Sequence, residues 1–158
     1  MSSALPPRAS LDFDPVTGDI CHDLASPYLA HGATGLLHLP RFITKIRRHL
    51  RGELPKSYRR NFCKGFDRFL CLHLGVEPQA VIDAVRDAQD GADLDARLLA
   101  LFPADVRAEK WNRELVQKGM SEMGREALHD AKTKMGIGDR TDLISFADMI
   151  EYDEGRLA

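Results

Sequence analysis

Apolar residues recur at helical spacing along most of this chain, and glycine or proline breaks the pattern every ten to fifteen residues. Leu39, Phe42, Ile43, Ile46 and Leu50 fall at i, i+3, i+4, i+7 and i+11, which predicts an amphipathic helix closed by Gly52 and Pro55. Phe66, Phe69, Leu70 and Leu74 repeat the pattern up to Gly75. Pro78 opens a helix carrying Val81, Ile82 and Val85 that ends near Gly91. Asp93 is expected to cap a short helix with Leu94, Leu98, Leu101 and Phe102, stopped by Pro103. Trp111, Leu115 and Val116 mark another, interrupted at Gly119. A helix from about Glu122 to Met135 places Met123, Ala127, Ala131 and Met135 on one side, and Gly136 and Gly138 end it. Asp142 is expected to cap a last helix with Leu143, Phe146, Ala147 and Ile150. Ser26-Pro27 reads as the start of one more short helix before Gly32 and Gly35. No segment shows the period-2 alternation of a half-buried strand.

These spacings predict an all-α fold: a single compact domain of six to eight short helices over residues 26–158. Residues 1–25, with Pro6, Pro7, Pro15 and Gly18 and no helical period, read as an irregular N-terminal arm, loose or packed onto the body. A chain of 158 residues is expected to bury roughly 70% of its unfolded surface, enough for one core without a staple.

Charge is unevenly spread. From Leu39 to Arg68 there are ten Lys/Arg (Arg41, Lys45, Arg47, Arg48, Arg51, Lys56, Arg59, Arg60, Lys64, Arg68), opposed only by Glu53 and Asp67. This block carries +8 in a chain of net charge −2, so the rest sums to −10. On the helical wheel Arg41, Lys45 and Arg48 lie opposite the apolar stripe, with Arg47 and Arg51 flanking it, and Arg59 and Arg60 extend the patch through the following loop with Tyr58 and Phe62. The expectation is a displayed anion-binding face made of Arg41, Lys45, Arg48, Arg47, Arg59 and Arg60, because the arginine fork grips oxyanions bidentately. Its partner would be an anionic small molecule or an acidic protein surface. A net negative chain argues against constitutive nucleic-acid binding while leaving room for a local patch. The competing reading is that the acidic segments Asp83–Asp95 and Asp139–Glu154 pair with the block internally.

Other signals are sparse. His22, His31, His38, His49, His73 and His129 form neither HxxxH nor HExxH, so no metal site is expected. Cys21, Cys63 and Cys71 show no CxxC spacing and read as reduced thiols. Cys63, near Arg60 and Lys64, has the electropositive setting a nucleophile would want, but an inert half-buried thiol is the commoner arrangement, and Cys71 reads as core. There is no P-loop, GxSxG or GxGxxG, and no cofactor is implied. No apolar run approaches a membrane span and no signal peptide is legible, so a cytoplasmic location is expected.

The closing Glu151-Tyr152-Asp153-Glu154-Gly155-Arg156 is dense in carboxylates at a helix C-terminus, where the dipole disfavours them. Two functions of different class follow. One is a binding module working through the basic block. The other is a small enzyme or metabolite-binding protein whose polar pocket joins Arg41 and Lys45 to Asp67, Glu151, Asp153, Glu154 and Arg156. The absence of a catalytic motif favours the module.

Leu39-Pro40-Arg41, Ile43, Lys45, Arg47, Leu50, Gly52 and Tyr58, then Asp67-Arg68-Phe69-Leu70 with Leu74-Gly75, and the closing Asp148–Arg156, together resemble the bacterial domain-of-unknown-function family 5069. The resemblance spans roughly Ser26 to Arg156. Thr44 stands where the family pattern suggests an acidic residue, and Phe146-Ala147 where it suggests Trp-Phe. The resemblance implies a bacterial, cytoplasmic helical domain in which Arg41, Lys45, Asp67 and the Asp153–Arg156 turn belong to one design. The expected geometry is that the terminal carboxylates fold back onto Arg41 and Lys45, well within about 10 Å.

Overall fold

The computed structural model describes residues 20–157. Among them eight helices follow in order: α1 (Leu39–Leu50), α2 (Lys56–Arg59), α3 (Phe66–Leu74), α4 (Pro78–Asp87), α5 (Gly91–Leu101), α6 (Ala108–Gln117), α7 (Glu122–Lys134) and α8 (Phe146–Asp153). One isolated antiparallel bridge joins Ala30 to Leu37. The fold is all-α, as the spacing predicts. The part of the expected arm before residue 20 lies outside the described residues.

α1 is the hub. Its apolar stripe, Leu39, Phe42, Ile43 and Ile46, enters the main core, where α1 packs across α3 and α4, and α4 turns back along α5. α6 packs on α3 and α8. It also clamps the loop before α1: Trp111 Nε1 donates to the Leu37 carbonyl (2.8 Å), and the Asn112 side chain accepts from the Leu37 N–H and donates to the Gly35 carbonyl (both 2.9 Å). Gly119 takes φ +100°, and a Cβ there would stand 3.1 Å from the Phe146 ring, so the α6–α7 turn can touch the start of α8 only without a side chain. The Phe146 N–H donates to the Lys118 carbonyl across this contact (2.9 Å).

A smaller apolar cluster sits on the far side of α1. Cys21 and Leu24 pack with Leu54 and Tyr58, so residues 20–25 and α2 form a lid over the α1 face opposite the main core. α1 is therefore buried on two faces.

Several local expectations are revised. Ser26-Pro27 makes a turn, with the Tyr28 N–H on Ser26 Oγ (3.0 Å), and not a helix. α5 is capped by Asp90, whose side chain accepts from the Asp93 N–H, three residues before the expected cap. α8 is capped by Ser145 and not Asp142; Asp142 is held instead by the Arg140 guanidinium. α2 falls where a loop was expected. Met123 points into solvent, and Leu128 joins Ala127 and Ala131 on the buried side of α7.

Candidate functional site

The residues of the basic block take two opposite fates. His38, Arg41 and Lys45, at i, i+3 and i+7, line the side of α1 that lies away from the apolar stripe; Arg41 is covered by the lid and the C-terminal turn, while His38 and Lys45 are covered by α3 through Asp67. The expectation that Arg41 and Lys45 are displayed to solvent is corrected: both are buried. The helical wheel places them opposite the stripe correctly. It does not reveal that this second face is covered by segments distant in the chain.

Arg41 meets Glu154 fork to fork, with Nη1 on Oε1 and Nη2 on Oε2, both 2.8 Å, at side-chain exposures of 6% and 1%. Glu154 accepts further bonds from the Tyr58 hydroxyl (2.9 Å) and from Arg156 Nη2 (2.6 Å). The Asp153–Arg156 turn explains how a carboxylate at a helix C-terminus becomes tolerable. Gly155 adopts φ +81°, its N–H returns to the Tyr152 carbonyl (3.1 Å), and the Arg156 N–H returns to the Glu151 carbonyl (2.8 Å), a glycine-terminated helix end. That turn swings the Arg156 side chain back onto Glu154 and Glu151, whose Oε1 lies 3.1 Å from Arg156 Nε. Two guanidinium groups thus offset the dipole conflict. Asp153 lies half-buried on the last turn of α8.

Lys45 does not meet the terminal carboxylates. Its Nζ lies 2.8 Å from Asp67 Oδ2, with side-chain exposures of 7% and 0%. Asp67 also accepts from His38 Nε2 (2.6 Å) and from the Cys63 N–H (3.0 Å). His38 and Cys63 are two of the three non-glycine residues with positive φ among those described, at 71° and 62°. Such backbone costs on the order of 1 kcal/mol or more and persists only when its surroundings dictate it. Here the common dictating group is Asp67. Thr44, at the position of the missing family acid, donates to the Arg41 carbonyl (2.8 Å) and accepts from the Ala25 N–H (3.3 Å).

Burial disfavours the His38 cation and pushes its pKa down to about 4, against the pull of Asp67. With Nε2–H donating to Asp67, Nδ1 carries a lone pair and has no hydrogen-bond partner, an arrangement a neutral ring tolerates and a protonated ring does not. For Asp67, burial raises the pKa, but Lys45 and His38 outweigh it and bring it down to about 2. Both groups bind protons more weakly in the folded protein than in the unfolded chain, so stability from both is complete near neutrality and falls toward acid. The His38 contribution is lost as pH falls from about 6.5 to about 4 and amounts to roughly 3 kcal/mol; that of Asp67 follows below about pH 4. Urea unfolding across this range should show the slope between pH 6.5 and 4 flattened in His38→Asn, which tolerates the left-handed backbone. An unchanged slope would remove His38 from the account.

The remaining predicted site residues stand elsewhere. Arg48 is held by Asp23 (Nε to Oδ1, 3.1 Å) and the Glu53 carbonyl (2.8 Å). Arg47, Arg59 and Arg60 are exposed, as are Arg51, Lys56, Lys64 and Arg68. Phe62, stacked on His49 at 4.7 Å between ring centroids, ties the α2–α3 connection back to the end of α1. The Cys63 thiol is pushed up to about 11 by burial and by Asp67, the reverse of what a nucleophile requires. Among the described residues no three His, Cys, Asp or Glu are grouped so as to hold a metal ion, and no helix is long and apolar enough to cross a membrane.

His38 is nearly as central as Arg41, and its i, i+3, i+7 spacing with Arg41 and Lys45 is the one local sign of that role in the sequence.

Fold and site define a small all-helical protein whose central helix carries a buried layer of ion pairs closed by the C-terminal turn. Residues 22–156 match the family described as Domain of unknown function (DUF5069), and the chain belongs to it. No curated protein matches the chain.

Proposed function

We propose that the protein is a helical binding module that engages an acidic protein surface through an exposed ridge running from Arg47 to Arg68. The observation that carries this is what remains of the basic block after Arg41 and Lys45 are held inward by Glu154 and Asp67 and Arg48 is paired at the surface with Asp23. Seven cations stay exposed between Arg47 and Arg68, with Glu53 the one exposed acid among them. Fields of this kind speed encounter with an opposite surface and bind in a salt-dependent way. Three free thiols, Cys21 and Cys71 among them buried, fit a reducing bacterial cytoplasm as its setting. The rival reading, a polar-pocket enzyme or metabolite-binding protein, has Arg41 in contact with Glu154 and Lys45 with Asp67. Arg41, Lys45, Asp67 and Glu154 are closed to solvent, however, and offer a substrate no opening.

The test uses fluorescently labelled polyglutamate. Wild-type binding should weaken steeply with added salt. Arg47→Glu/Arg59→Glu/Arg68→Glu should lower affinity roughly tenfold or more while its thermal midpoint stays within a few degrees, since all three side chains are exposed. Unchanged affinity would overturn the ridge as the binding surface.

A further inference from the structure

α3 reads Phe-Asp-Arg-Phe-Leu-Cys-Leu-His-Leu and is apolar nearly all round, the composition of a helix covered on every side. Yet Leu72 is 64% exposed and Phe69 only half-buried. Both line an open trough of about 1040 Å³ between α3, α6 and the first turn of α7. Trp111, itself buried, and Met120 also line it, together with Met123, which is 68% exposed. Leu72 and Met123 are the two most exposed large apolar side chains among those described.

The rim is cationic. Arg107, Lys110 and Lys118 line it against a single acid, Glu114, which Lys110 already holds at 2.7 Å. Lys118 Nζ rests 4.0 Å over the Phe69 ring, and Arg107 Nη2 reaches the His73 carbonyl at 3.2 Å, so neither is neutralised by a carboxylate. Arg107 has a left-handed backbone at the start of α6 (φ 49°). An apolar strip with a cation at each end of its α6 wall, Arg107 at one and Lys118 at the other, is the complement of a helix with apolar anchors on one face and acids beside them. We propose that this trough is the docking site for an acidic amphipathic helix of a partner protein, its apolar anchors packing between Leu72 and Met123 and its carboxylates meeting Arg107 and Lys118.

The trough shares no residue with the ridge, so either reading can fail alone. The probe is a labelled peptide of about 15 residues with Leu at i, i+3, i+4 and i+7 and Glu on the flanking positions, read by fluorescence anisotropy. A second peptide replaces each Leu by Ser. Leu72→Glu and Met123→Glu alter exposed side chains and should leave the thermal midpoint nearly unchanged. Each should weaken binding of the Leu peptide roughly tenfold or more, and the Ser peptide should lose a similar factor on the wild-type protein. Arg47→Glu/Arg59→Glu should change Leu-peptide affinity by less than about threefold, because screening limits the reach of those charges. Three results would each overturn the proposal. They are no binding of the Leu peptide, equal binding of the Ser peptide, and self-association of the wild-type chain in sedimentation that Leu72→Glu abolishes, which would make a second copy the occupant.

Discussion

Asp67→Ala should lower unfolding stability by about 3–5 kcal/mol and the thermal midpoint by roughly 10–20 °C. The carboxylate is fully buried and serves three groups at once: Lys45 Nζ at 2.8 Å, His38 Nε2 at 2.6 Å and the Cys63 N–H at 3.0 Å. Removing one member of a buried pair leaves the other uncompensated, which costs far more than a surface pair is worth. Lys45 has one escape. Burial already lowers its pKa in spite of Asp67, and without the carboxylate it would fall further until the amine sheds its proton. The deficit of Asp67→Ala relative to wild type should therefore narrow as pH rises toward 10, because the unfolded chain then gives up the same proton. Lys45→Met/Asp67→Ala removes the stranded charge and should recover part of the loss, with His38 and Cys63 still missing their acceptor. Guanidinium unfolding at two pH values reads all of this. A variant within about 0.5 kcal/mol of wild type would show that the pair holds nothing together.

What the sequence reveals of this molecule follows from what periodicity can and cannot encode. The stripe Leu39, Phe42, Ile43, Ile46 reports a core-facing side, and the structure puts it there. The other side of the same helix carries His38, Arg41 and Lys45, and a charged face looks the same in sequence whether it meets water or a buried layer of acids. The difference is made by Glu154, 113 positions from Arg41, and by Asp67, 29 from His38, contacts that no local pattern records. α3 did hold a signal. Asp67 shares the side of α3 that carries Cys71 and Leu74, at i+4 and i+7, so a carboxylate there must be paired inside. The same argument applied to Leu72 points outward, to a surface awaiting cover. Helix starts were displaced for a simpler reason: Asp90 and Asp93, or Asp142 and Ser145, are each competent caps three residues apart, and the choice is made by which turn lets the apolar residues behind it reach the core.

Glu154→Ala should be at least as damaging as Asp67→Ala, about 3–5 kcal/mol, although it removes a side chain within the glycine-ended turn at the close of the helix. The reason lies in which cation is stranded. Arg41 is 6% exposed at its side chain and, with Glu154 gone, retains only a 3.3 Å bond to the Ala25 carbonyl. Unlike Lys45 it has no route to neutrality, because a guanidinium stays protonated at any ordinary pH. Its deficit should accordingly stay level between pH 6 and 9, where that of Asp67→Ala begins to shrink. The Tyr58 hydroxyl loses its acceptor in the same step and remains held by the Cys21 N–H alone, loosening the cluster that seals this face. Arg156→Ala gives the comparison. Its guanidinium contacts the same carboxylate, but at 27% exposure it is partly hydrated already, so its loss should cost no more than about 1 kcal/mol. Equal losses for Glu154→Ala and Arg156→Ala in urea unfolding would show that the tail, and not the Arg41 pair, carries the stability; a ratio of three or more places the weight on Arg41, where the basic block turns inward and ceases to be a surface.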